Sequence, residues 1–231
     1  MNSRIERCIL AYHDRLSTDP YHRFRSWGHC YRYFRQVRSG RIALEFDSAA
    51  LHLGFYLASW GMYRGRSFLL WKDYKLHRYA IRDLFRKKYQ GLWNLDYARM
   101  RDEARTAYLL IDLANRLRHT YRTHVPAVNG AKRQVEATDT LVSTILLGTL
   151  ACTPAYDEFV CAGLYTDKIK YSHLNSEHIL ALWGFCNAHD REFRHAQRRI
   201  RENGITYPAM KLVDMYLWTR GQRAAPRWES A

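Results

Sequence analysis

Apolar residues recur at three- and four-residue spacing along almost the whole chain, which is the pattern of amphipathic helices. Ile5, Cys8, Ile9 and Tyr12 mark a first helix. Asp19-Pro20 offers an acceptor side chain and then a proline suited to a first turn. It opens a second helix, with Phe24, Trp27, Tyr31 and Phe34 on one stripe and an end near Gly40. A third runs from Leu44 to Tyr63, with Leu51, Phe55, Leu57 and Trp60 apolar, and breaks at Gly65. Phe68 to Tyr89 reads as a basic amphipathic helix closed by Gly91, and Asp96 to His124 as a further long helix.

The clearest loop is Val125 to Gln134, where Pro126, Asn129 and Gly130 stand beside Lys132 and Arg133; such turn formers suit a hinge between two helical lobes. The most apolar helix follows, Thr138 to Leu150, ended by Thr153-Pro154. Asn175 caps a helix that begins at Ser176, runs into the basic stretch His195 to Arg201 and stops at Asn203-Gly204. Pro208 opens a last helix from Met210 to Trp218. No alternating strand pattern, internal repeat or low-complexity tract appears. The expectation is one all-α domain over residues 1–231, two-lobed, with a cleft between the lobes and the hinge near 125–134.

Charge narrows the partner. Thirty-seven Lys and Arg against 22 Asp and Glu leave a formal charge of +15 over 231 residues. That much like charge repels itself and points to a polyanion. The basic residues are spread along the chain rather than gathered on one terminal helix, which argues against a membrane surface. No apolar run approaches the roughly 18 residues of a membrane span, and Met1 to Glu6 lacks a secretory signal pattern, so a cytoplasmic location is the expectation. Cys8, Cys30, Cys152, Cys161 and Cys186 are odd in number and widely spaced. They read as reduced core residues rather than zinc ligands or disulfides. No metal or nucleotide motif is present, so no cofactor is expected.

One segment carries chemistry. An apolar helix, Leu141 to Gly148, delivers a turn at Thr153-Pro154-Ala155-Tyr156 and then Asp157 at the head of the next helix. Helix N–H groups and the dipole favour a carboxylate there, and one fixed beside aromatics stabilises a sugar cation or activates water. The plainer reading is an ordinary cap. The segments Trp27-Gly28-His29-Cys30-Tyr31 and Trp60-Gly61-Met62-Tyr63-Arg64-Gly65-Arg66 offer flat surfaces with polar neighbours. They suit a stacked base, with core aromatics as the competing reading. Arg64, Arg66, Lys72, Lys75, Lys132 and Arg133 are the candidate phosphate contacts, whereas Arg198-Arg199-Ile200-Arg201 reads as a solvated face.

The run from Leu141 to Val160, with Pro154, Asp157 and Val160 in a P-x-x-D-x-x-V arrangement, resembles the active-site segment of helix-hairpin-helix DNA glycosylases. Tyr207 to Trp218 is similar to the closing helix of such a domain. The combination looks closest to bacterial anti-phage glycosylases that remove bulky modified bases, such as glucosylated hydroxymethylcytosine. The resemblance rests on short motifs within residues 141 to 160 and 207 to 218. It implies base excision from phage DNA by a monomer, with Asp157 catalytic and Trp27, His29, Tyr31, Trp60, Tyr63 and Asp214 around the flipped base. Two departures matter. The glycine-rich hairpin is replaced by Ala137-Thr138-Asp139-Thr140, and no lysine lies between Lys132 and Lys168. The second implies a monofunctional enzyme without a Schiff base. Two other classes compete. One is a helical ribonuclease using an Arg and a His four to six residues later, such as Arg118 with His124. The other is a nucleic-acid binder without catalysis.

Overall fold

Local capping sets the helix boundaries. The computed structural model describes residues 2–132, 134–200 and 206–224; Arg133, Arg201 and the Asn203-Gly204 stop lie outside the described residues. Ser3 and Glu6 form a reciprocal capping box that starts α1, Arg4–Thr18, satisfying two N–H groups a helix end otherwise leaves unpaired. Then come α2, Arg25–Arg38, and α3, Phe46–Ser59. The first starts later than Asp19-Pro20 suggests, because Asp19 Oδ1 accepts from Tyr21 N–H and holds a turn. The second stops short of Tyr63, because Gly61 at φ 74° sends Met62 N–H back to the Leu57 carbonyl, a left-handed C-terminal cap.

From 68 to 92 the chain is not one helix. Three 3₁₀ turns, Phe68–Trp71, Tyr74–Leu76 and Lys87–Leu92, surround the short α4, His77–Leu84. Another turn, Tyr97–Arg99, precedes α5, Glu103–His124, which Asp102 caps. The expected hinge is a two-residue hairpin: β1, Ala127–Val128, pairs antiparallel with β2, Ala131–Lys132. Asn129 and Gly130, both at positive φ, make its turn. Then come α6, Asp139–Thr149, capped by Thr138, and α7, Glu158–Thr166, capped by Asp157. The stretch after Asn175 divides at His189 into α8, Ser176–Ala188, and α9, Asp190–Arg199. The last helix is α10, Ala209–Ala224.

The ten α-helices among the described residues confirm the all-α class. They sort into two packed groups. One holds α1, α7, α9 and α10; the other is a chain of contacts through α2, α3, α4, α5, α6 and α8. Among the described residues the most extensive helix–helix contact joins α7 to α10, and glycine permits it. A Cβ on Gly163 would lie 2.1 Å from the Leu217 carbonyl oxygen, and one on Gly221 1.7 Å from that of Phe159. Every residue of α10 from Ala209 to Thr219 is buried. A helix enclosed on all sides is normally apolar, yet this one carries Lys211 and Asp214.

Candidate active site

A cleft lies where the two helix groups meet. It is lined by Tyr56 and Trp60 at the end of α3, Thr144 and Leu147 of α6, Asp157 at the head of α7, and Lys211, Asp214 and Trp218 of α10. Its cavity volume is about 30 Å³.

The turn that presents Asp157 is held from several sides. Thr140 donates to the Tyr156 carbonyl at 2.8 Å, and Ser143 Oγ accepts from Tyr156 N–H at 2.8 Å. The Tyr156 hydroxyl lies 3.0 Å from His178 Nε2 and accepts from Thr153 at 3.3 Å. Asp214 Oδ1 accepts from Ala155 N–H at 3.0 Å, and the Ala155 carbonyl accepts from Asp157 N–H at 2.9 Å. Asp157 Oδ1 in turn accepts from Val160 N–H at 2.8 Å. Side chains of α6, α8 and α10 therefore fix one short segment, which is how a rigid scaffold pre-organises a functional group.

Burial is the main reason the Asp157 carboxyl is pushed up to about 7. The Val160 N–H opposes the rise, the like charges of Asp214 and Glu158 add to it, and the Phe159 N–H opposes it again. A carboxyl poised near neutrality exchanges a proton readily, the condition for general acid–base chemistry. Asp157 is thus the N-cap of α7 and at the same time a carboxyl raised by burial.

Lys211 is a cleft residue that the sequence patterns above do not single out. Its ammonium is buried, 2.7 Å from Asp214 Oδ2, and donates to the Tyr12 hydroxyl at 3.1 Å. It also lies over three rings, with centroids at 4.8 Å for Tyr12, 5.2 Å for Trp27 and 5.7 Å for Trp60. A charged pair three residues apart in an otherwise apolar helix was the available signal.

The two Trp-Gly segments have different fates. Trp60 lines the cleft, stacks on Phe24 at 5.0 Å between centroids, and has a buried Nε1 with no hydrogen-bond partner among the described residues. Trp27 is a core residue instead: it stacks on Tyr31 and Tyr207 and donates to the Leu147 carbonyl at 3.1 Å. It backs the cleft through Lys211 and does not line it. His29 is exposed, on the face of α2 away from the buried stripe. Tyr31 is buried and donates to Asn94 at 3.3 Å, and the Tyr63 hydroxyl lies 2.7 Å from His77 Nε2. None of these three lines the cleft. Asp214 does, but both its oxygens are already engaged, which suits support rather than base reading.

Among the basic candidates, Arg64, Arg66, Lys75 and Lys132 are exposed and Lys72 is partly so; Arg133 lies outside the described residues. Arg66 stands on a groove of about 340 Å³ that shares Met62 with the cleft and passes the start of α6. Lys72 and Lys75 sit on the 3₁₀ turns, off that groove. Two cations that spacing did not select stand at the cleft tryptophans. Arg15 lies 5.1 Å from the Trp218 ring centroid and Arg23 5.3 Å from that of Trp60.

The Arg118–His124 pair does not assemble. Arg118 binds Asp139 and Asn115, while His124 stacks on Tyr79 and meets the Thr120 carbonyl. Six residues along a helix turn the second side chain about 120° from the first. Comparison with protein-family models, curated proteins and solved structures gives no significant match to this chain.

Proposed function

We propose that this chain is a monofunctional DNA glycosylase that removes a modified base and leaves an abasic site, in the manner of anti-phage enzymes acting on phage DNA. The observation that carries the reading is Asp157, a largely buried carboxyl that its turn holds on the lining of a cleft with Trp60 and Trp218, on a strongly cationic protein.

A base in a duplex is out of reach, so the nucleotide swings out and its base enters the cleft. Trp60 and Trp218 supply flat apolar surface, and the unpartnered Trp60 N–H offers a donor to a base acceptor. The cleft encloses about 30 Å³, room for about one water, so the two helix groups must part to admit a base. A bulky substituent on the base would extend past Met62 into the groove beside Arg66. Arg15, Arg23 and Arg66 are the cations placed to hold phosphates near the mouth.

In the reaction the bond between C1′ and the base nitrogen breaks, and the base leaves with the electron pair and is protonated from solvent. The ionised Asp157 carboxylate stabilises the cationic sugar and takes a proton from the attacking water, whose oxygen forms the new bond to C1′. Among the described residues Lys211 is the one lysine on the cleft lining, and its nitrogen is engaged by Asp214 and the Tyr12 hydroxyl, which supports hydrolysis over Schiff-base chemistry. The test is incubation with unmodified and base-modified duplexes followed by alkali. Alkali-labile sites that disappear in Asp157→Asn support the proposal. Intact DNA beside cleaved RNA, or tight binding with no chemistry, refutes it. Borohydride should trap no protein–DNA adduct.

A further inference from the structure

Asp214 touches both the turn that presents Asp157 and the buried ammonium of Lys211. Its Oδ1 holds Ala155 N–H at 3.0 Å, and its Oδ2 is 2.7 Å from Lys211 Nζ. The Ala155 carbonyl then receives Asp157 N–H. An unbroken path of hydrogen bonds thus runs from α10 to the acid at the head of α7. Close backbone contact at Gly163 and Gly221 locks these two helices against each other, so the path has little slack.

A charged pair in the middle of a wholly buried helix is costly to desolvate and is weak evidence of stabilisation in itself. Apolar residues would pack α10 as well. The pair makes sense by what it does to its neighbour. We propose that Asp214, kept in place by Lys211, is a positioning residue for Asp157: it fixes the turn and places a negative charge beside the acid that makes its carboxylate a stronger base. This rests on the reading of Asp157 as the reactive acid and adds the device that tunes it.

The groups that face Asp157 are few. Glu158 and Cys161 come from its own helix, Asp214 and Lys211 from α10, and Tyr56 from α3. Burial pushes the Cys161 thiol up to about 11, and burial followed by Asp214 raises the Tyr56 hydroxyl. Both stay neutral near pH 7 and cannot supply the charge. Glu158 is exposed, where solvent screens it. Asp214 is the buried like charge, and a like charge beside a carboxyl raises the pH at which it ionises.

The experiment is a ¹³C NMR titration of the carboxyl of Asp157 in full-length protein, its signal assigned by its loss in Asp157→Asn. In Asp214→Asn the side-chain oxygen still accepts from Ala155 N–H while the charge is gone, and the Asp157 midpoint should fall by about one pH unit or more. Lys211→Met with Asp214→Asn removes both charges at similar volume and should give a smaller fall. This second protein is the control should a lone buried ammonium unfold the first. An unchanged midpoint in a folded variant overturns the proposal. So does failure of both variants to fold, which would make the pair purely architectural. A fallen midpoint in a protein that excises no base keeps this inference and discards the glycosylase reading.

Discussion

Replacing Asp157 by asparagine should stabilise the protein, and the gain should grow with pH. In the unfolded chain this carboxyl ionises near its ordinary 3.8, whereas in the fold it holds its proton up to about 7. Between those limits the folded state binds a proton that the unfolded state has released, so stability falls as pH rises through the interval and levels off above it. Each pH unit across the interval is worth about 1.4 kcal/mol, which makes the whole effect up to about 4 kcal/mol for a carboxyl that keeps some solvent contact. The amide has no such ionisation. Asparagine caps a helix as well as aspartate does, and its oxygen can still accept from Val160 N–H. Urea unfolding at pH 5 and at pH 8 should therefore show the advantage of Asp157→Asn widening by about 2.5 kcal/mol between the two. A constant difference, or one that narrows toward pH 8, would refute the account of a buried acid held near neutrality.

The buried His77 should act in the opposite sense. Its ring joins the Tyr63 and Tyr121 hydroxyls, each at 2.7 Å, and burial lowers it to about 4. The unfolded chain takes up a proton below 6.5 that the fold refuses, so its contribution is present above 6.5 and is lost as pH falls toward 4; His77→Gln should flatten that slope in urea titrations. Gly221→Ala drives a methyl into the Phe159 carbonyl, 1.7 Å away, and should cost about 3 kcal/mol or more. Calorimetry should show Tm lower by about 6–12 °C, and an unchanged Tm would contradict the α7–α10 contact. Duplex DNA affinity should fall steeply with salt, and Arg23→Ala and Arg66→Ala should each reduce the log–log slope by about 0.9 per lost phosphate contact. A slope unmoved by both would remove these arginines from the interface.

Much of the fold was readable where a cap and an apolar stripe coincide. Thr138, Asp157 and Asn175 each accept a hydrogen bond at the helix starts that their spacing indicates. Periodicity failed where side chains compete with the helix for backbone hydrogens. Ser67 and Asp73 capture the N–H groups of Leu69 and Lys75, and the expected helix from 68 breaks into turns. His189 ends α8 without a glycine or proline to announce it. The Asn129-Gly130 signature of a hairpin was present, but its strands are only two residues each, too short to show alternation.

The site was half legible for a different reason. Asp157 is marked by a local pattern, a proline turn before a cap, and local patterns survive in sequence. The cleft around it is assembled from four elements far apart in the chain, and no spacing reports which aromatics meet there. Trp27 and Trp60 carry the same Trp-Gly signature; one lies within a buried helical stripe and the other where α3 ends. That difference in helix register sends the first to the core and the second to the cleft. Lys211 and Asp214 are three residues apart, a spacing common in solvated charge pairs, and only the packing of α10 on every side buries them.

The most direct test of the account is the release of a free base from a base-modified duplex, followed across pH by chromatography and by alkaline strand scission. The wild-type rate should climb toward a plateau above about pH 7 as Asp157 loses its proton, and Asp157→Asn should release no base while remaining folded. Base release by Asp157→Asn at the wild-type rate would contradict the central role of this acid.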